Sequence, residues 1–285
     1  MLVALAAPAT AAGSAARGEY IFYAAGCKTC HTDKKAGGSL LAGGAALETP
    51  FGVFYAPNIT PDPDFGVGRW TEDDFIRALA EGVAPDGSDY YPAFPYTSYT
   101  GMTRGDAADL WAYIRTLPPA STASRPHELD FPFSWRFLVG FWKWLYFTPG
   151  PMAADPARDG TWNRGAYLVR VLGHCAECHS PRNALGSLDE DSYLAGNPDG
   201  PDGEPVPNIT PDAKTGIGDW STGDITFALG IGILPNSEVI GSAMADVVQE
   251  TTGKLTDADL AAIAVYLQSL LPISNVIARK PKDGD

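Results

Sequence analysis

Two short strings hold residues that could do chemistry: Cys27-Lys28-Thr29-Cys30-His31 near the N-terminus and Cys175-Ala176-Glu177-Cys178-His179 far downstream. Two cysteines separated by two residues suit redox thiols or half a zinc site, but neither use needs a histidine directly behind them. Attachment of a c-type haem does. Both thiols form thioether bonds to the vinyl groups, and the tether holds the adjacent imidazole against one face of the iron. All four cysteines of the 285-residue chain lie in these strings, so no thiol is left for another purpose. Zinc ligands split in this way would leave each half of the chain without a complete set. The expectation is two covalently attached haem c groups. Cys27 and Cys30 hold the first, with His31 on the iron; Cys175 and Cys178 hold the second, with His179.

The ligand on the opposite face decides what such an iron does. An open position invites oxygen or peroxide chemistry, whereas a Met thioether gives a closed carrier of higher potential. The chain has four methionines. Met1 and Met152 fall in the leader and between the halves, whereas Met102 and Met244 each follow a haem string and precede a last helix. These two are the candidate distal ligands, brought over the haem by a loop; filling a gap in the core is the alternative use of each. His127 lies between the halves, and His174 is joined to Cys175 and can hardly reach across the ring, so both suit supporting roles.

The elements that must position these residues occur twice. "APNITPDPDFGVGRWTEDDF" from Ala56 is answered by "VPNITPDAKTGIGDWSTGDI" from Val206, at an offset of 150 residues. "RGEYIFYAAGC" from Arg17 pairs with "RGAYLVRVLGHC" from Arg164, and "LWAYIRTLPP" from Leu110 pairs with "IAVYLQSLLP" from Ile263. Tyr20 to Ala25 and Tyr167 to Leu172 read as helices running into the cysteines. Thr71-x-x-Asp74, Thr103-x-x-Asp106, Ser221-x-x-Asp224 and Thr256-x-x-Asp259 have the spacing of an N-cap followed by a first-turn acid. Leu110, Ile114 and Leu117, and Leu260, Ile263, Ala264 and Leu267, recur at helical spacing before Pro118 and Pro272. No sustained alternation appears between the caps, so the expected fold class is all-α with long loops. Asn58 and Asn208 are expected to fix loop backbone. Trp70 and Trp220 could bond a haem propionate or simply pack against the haem edge or a helix.

The expected boundaries are a leader over 1–16, haem domains over 17–120 and 161–275, an aromatic-rich linker over 121–160 and a polar tail over 276–285. The linker segment Phe131 to Phe147 holds nine aromatic residues. It is predicted to be a partly helical strap whose apolar face carries Trp135, Leu138 and Trp142, with Arg136 and Lys143 elsewhere on the wheel. Packing between domains, docking on a redox partner and shallow membrane contact are three uses for such a face.

A net charge of −14 excludes tracking of a phosphate backbone, so nucleic acid is not an expected partner. Acidity favours solubility and steering towards a basic protein face. "MLVALAAPATAAG" reads as a signal peptide with an A-x-A-like site at Ala9-Thr10-Ala11, although its start lacks the usual basic residues; a frayed apolar tail is the alternative. No uninterrupted apolar run is long enough to span a membrane.

On "CKTCH", "CAECH", "PNITPDPDFGVGRW", "YYPAFPYTSYTGMT", "SPRNALG" and "KLTDADLAAIAVYL", the chain resembles the dihaem members of the class I cytochrome c group. It is similar to the cytochrome subunits of periplasmic alcohol, aldehyde and gluconate dehydrogenases, over nearly all of Arg17 to Pro272. The resemblance implies a cytochrome c fold in each half, a periplasmic location, and electron transfer from a dehydrogenase partner to an oxidase or another cytochrome. Such proteins can carry a third haem domain and a C-terminal anchor, for which this sequence has no counterpart. Some have Met where Phe94 stands here, which bears on the assignment of Met102. The competing reading is a haem enzyme such as a dihaem peroxidase or thiosulfate dehydrogenase, which needs an open or unusual distal position. A third makes one haem purely structural.

Overall fold

The computed structural model describes residues 13–277. The first half runs through helix α1 (Ala15–Ala24), α2 (Cys27–His31), strands β1 (Ala46–Thr49) and β2 (Gly52–Tyr55), then α3 (Glu72–Glu81), α4 (Tyr96–Tyr99) and α5 (Arg104–Ile114). Strand β3 (Glu128–Leu129) and helix α6 (Phe137–Tyr146) follow. The second half has α7 (Gly160–Tyr167), α8 (Ala176–His179), α9 (Thr222–Ile231), α10 (Ser242–Glu250) and α11 (Asp257–Gln268). The leader expectation falls largely on residues 1–12 and the polar tail largely on 278–285, outside the described residues.

The helix starts follow from capping. Thr71 and Ser221 form reciprocal capping boxes with Asp74 and Asp224, and the Thr103 and Thr256 hydroxyls accept from the Asp106 and Asp259 amides at 3.1 and 3.2 Å. Each such cap is worth about 1 kcal/mol. The expectation of helix and loop alone needs correction: β1, β2 and β3 form an antiparallel sheet in that order. Its third strand comes from the supposed linker and pairs Gly52 with Leu129. A two-residue strand carries no alternation that a sequence pattern could show.

In each half the first helix crosses the last at a glycine. A Cβ on Gly18 would lie 1.9 Å from the Asp109 carbonyl oxygen, and one on Gly165 would lie 1.9 Å from that of Ala262. An ion pair locks each crossing: Arg17 binds Asp109 through two bonds of 2.6 and 2.9 Å, and Arg164 binds Asp259 at 2.9 and 2.7 Å. Burial works against ionisation of Asp259, but hydrogen bonds from Arg164 and Tyr20 outweigh it and hold the carboxyl below its ordinary range.

The halves also cap each other. Tyr20 of α1 donates to Asp259 at 2.5 Å and accepts from the Thr256 amide, while Tyr167 of α7 donates to Asp106 at 2.5 Å and accepts from the Thr103 amide. One buried cluster accordingly contains Phe22, Leu110 and Ile114 together with Val169, Leu172 and Ile263.

The strap is helical, and two residues of its predicted apolar face, Leu138 and Trp142, are half-buried. Val139 is buried, Lys143 pairs with Asp89 at 2.5 Å, and the Trp142 indole N–H donates to the Leu185 carbonyl at 2.8 Å. Trp135 precedes the helix and is exposed, as are Phe137, Phe141 and Trp144. Among the described residues no helix is long and apolar enough to cross a membrane. Trp142→Ser should lower the thermal unfolding midpoint, because it removes both packing and a hydrogen bond. Trp144→Ser, at a side chain 75% exposed, should leave the midpoint within error.

Candidate functional site: two haem-attachment strings

Helices α1 and α2 meet at Gly26, whose φ of 65° is the left-handed conformation that glycine adopts without penalty. The turn brings Cys27, Cys30 and His31 onto one short helix. The second half differs at this point, because Cys175 is one residue further from Arg164 than Cys27 is from Arg17. The added residue is absorbed by a π-helical turn, Leu168–Leu172, where a continuous α-helix was expected. His174, directly before Cys175, then takes the place of Gly26 with φ at 36°. Histidine is more often found in this region than most residues, but still far less readily than glycine.

His31 and His179 are oriented identically. The His31 Nδ1 lies 2.8 Å from the Pro57 carbonyl, and the His179 Nδ1 lies 2.8 Å from that of Pro207. A carbonyl only accepts, so Nδ1 carries the proton and Nε2 presents its lone pair. Burial lowers the pKa of both rings, which keeps that lone pair available. The carbonyls belong to the duplicated Pro-Asn-Ile-Thr segments, and these are braced in turn. The Asn58 amide donates to the Ala120 and Thr122 carbonyls, and the Asn208 amide donates to that of Ile273, just beyond the last helix. The loop-fixing role expected of the two asparagines is thus visible in their bonds.

No disulfide joins the four cysteines. Burial pushes Cys27 and Cys175 up to about 12 and Cys178 up to about 11, the last helped by Glu177 and, across the halves, by Cys30. Thiolate chemistry at neutral pH is disfavoured by such values. Among the described residues no three His, Cys, Asp or Glu side chains gather to hold a bare metal ion. The donors instead fit an iron whose equatorial ligands come with its own ring. A buried hydroxyl without a partner, Thr29 Oγ1 inside the first string, fits a carboxylate-bearing group as well.

The candidate distal residues are placed unequally. Met102 follows α4 on a turn and is buried in the central cluster, whereas Met244 sits on α10, a helix and not the expected loop, and is half-buried. Trp70 and Trp220 pack against the cluster. His127 accepts from the Tyr55 amide at 3.2 Å and packs on Phe54 and Tyr91, a supporting position for the sheet. Sequence reasoning missed the reach of α4 and α10 across the halves. Thr97 and Ser98 of α4 donate to Glu177 of the second string, while Lys28 of the first string pairs with Glu250 of α10 at 2.8 Å. A clue was present in "LGHC" against "AAGC": a bulky residue stands where its repeat has glycine.

A Cys-x-x-Cys-His helix with its imidazole locked in one tautomer suits a protein that attaches haem covalently. The Cytochrome c family pattern matches residues 15–118. Over 90% of its length the chain is 48% identical to the "Diheme cytochrome c-type" protein of Cereibacter sphaeroides, covering 86% of it. It is 41% identical to the fructose dehydrogenase cytochrome subunit of Gluconobacter japonicus, over 90% of this chain and 52% of that one. It is 38% identical to the gluconate 2-dehydrogenase cytochrome c subunit of Pantoea cypripedii, over 89% of this chain and 59% of that one. The chain belongs to the cytochrome c family. It spans little more than half the length of the two dehydrogenase subunits.

Proposed function

We propose that the chain is a dihaem cytochrome of two tandem haem domains, near 17–120 and 161–275, joined through 121–160. It takes electrons from a dehydrogenase in the periplasm and passes them to an oxidase or another cytochrome. The observation that carries this reading is the doubled proximal construction, His31 on the Pro57 carbonyl and His179 on the Pro207 carbonyl at the same 2.8 Å. Cys27, Cys30, Cys175 and Cys178 anchor the two groups, His31 and His179 ligate them from one side, and Met102 and Met244 from the other. Haem held in this way supplies reversible one-electron chemistry. The chain's own part is to fix the ligands, to exclude water from the crevice with the central cluster, and to present an acidic surface to its partners. The dehydrogenase partner is suggested by the names of the fructose and gluconate dehydrogenase subunits it resembles.

Intact-mass measurement of the denatured protein should exceed the polypeptide by two haems, with haem stain retained. A mass gain of one haem or none would overturn the dihaem reading. A second reading, a haem enzyme open on one side, has one observation in its favour, the partial exposure of Met244. Turnover of peroxide by the oxidised protein would establish it.

A further inference from the structure

We propose that Tyr99 and His174 form a bridge between the two haem-attachment strings that sets the rate at which an electron passes from one haem to the other. The inference rests on the dihaem reading above, and both residues act as positioning residues.

The contacts begin at one backbone carbonyl. The buried Tyr99 hydroxyl donates to the Ala25 carbonyl at 2.7 Å, two residues before Cys27. The Tyr99 ring in turn meets the His174 ring edge-on, with centroids 5.4 Å apart. His174 is joined directly to Cys175. A chain of covalent bonds, one hydrogen bond and one ring contact therefore connects Cys27 of the first string to Cys175 of the second. Electron tunnelling weakens steeply with distance, and more steeply across an open gap than along bonded atoms, so a linked path of this kind favours exchange.

The backbone supplies an independent reason to assign His174 a task. Glycine serves at the matching position in the first half, where a methyl group added to Gly26 would meet only the Thr251 hydroxyl, at 3.5 Å. The second half keeps a histidine in a left-handed conformation and adds a π turn in front of it. π turns of this kind often accompany functional positions. The link is one-sided: the opposite contact, Lys28 with Glu250, is a side-chain ion pair and involves no ring. The step itself moves one electron, lost by one iron and gained by the other, and the Tyr99 proton stays on its oxygen.

The test uses the full chain with both haems loaded, half-reduced, with electron exchange read by two-dimensional exchange NMR on the haem methyl signals. Dilution separates exchange within one molecule from exchange between molecules. Intact mass first establishes two haems; a lower count in the parent protein would sink the dihaem reading and this inference with it, whereas the outcomes below, read with both haems present, bear on the bridge alone. His174→Gly should slow the concentration-independent exchange several-fold while the thermal midpoint stays at or above the parent value, since glycine relieves the left-handed backbone. Tyr99→Phe, which keeps the ring and removes the donor, should slow it as well. His174→Phe, which keeps a ring against Tyr99, should recover part of the rate. Parent-like exchange in both His174→Gly and Tyr99→Phe would overturn the bridge, as would loss of the second haem in His174→Gly, because the residue would then serve attachment instead.

Discussion

Met102→Ala and Met244→Ala should each lower the midpoint potential of one haem and remove part of the near-infrared band that reports sulfur bound to oxidised iron. Loss of a thioether ligand withdraws the donor that favours the reduced state, so the fall in potential follows from the ligand itself. The two variants differ in what else they cost. Met102 is 6% exposed within the central cluster, and truncating a buried methionine costs about 2–5 kcal/mol through the cavity alone. Met244 is half-buried, so its truncation should cost distinctly less. Stability and potential together therefore separate ligation from gap filling. A Met102→Ala protein that is destabilised but keeps its band and potential has lost only packing, and the first iron would then need another ligand. A Met244→Ala protein with unchanged spectrum and potential would point to an open second haem, the situation in which peroxide chemistry gains ground.

Gly18→Ala and Gly165→Ala should destabilise the fold far more than alanine normally does in a helix. The added methyl would stand 1.9 Å from a backbone oxygen of the crossing helix in both cases. Alanine gains up to about 1 kcal/mol of helix propensity over glycine, whereas forcing a methyl into packed structure costs about 1–3 kcal/mol. Here the obstacle is backbone, which cannot rotate aside, so the helices must separate and the ion pairs Arg17–Asp109 and Arg164–Asp259 must stretch with them. The expected result is a large fall in the thermal midpoint for each variant. Gly160→Ala is the control: it opens α7, has nothing within 4 Å of the added carbon, and should be neutral or slightly stabilising. Equal behaviour of Gly160→Ala and Gly165→Ala in thermal unfolding would show that the crossing is looser than its geometry implies.

Covalent order and short-range spacing determined the attachment strings, the duplicated loops, the four capped helix starts and the proline-terminated last helices. Each depends on residues within a turn or two of one another, and the chemistry proposed for them is local: thiol to vinyl, imidazole to iron, hydroxyl to amide. Even the bracing by Asn58 and Asn208 could be expected, because asparagine after proline in a repeated loop has few other uses. What the tertiary structure decided lies between residues far apart in the chain. The pairing of β3 with β2, the exchange of Tyr20 and Tyr167 between halves, and the reach of α4 and α10 to the opposite string depend on how two similar surfaces meet. The buried face of α6 is of the same kind: Val139 and Trp142 found surfaces to cover, whereas Phe137, Phe141 and Trp144, equally apolar, did not. His174 shows both levels at once. Its replacement of a glycine was visible in the sequence, but the partner that gives it meaning, the Tyr99 ring tied to the Ala25 carbonyl, meets it only once the halves are packed, because burial and ring contacts are properties of the assembled surface and not of either segment alone.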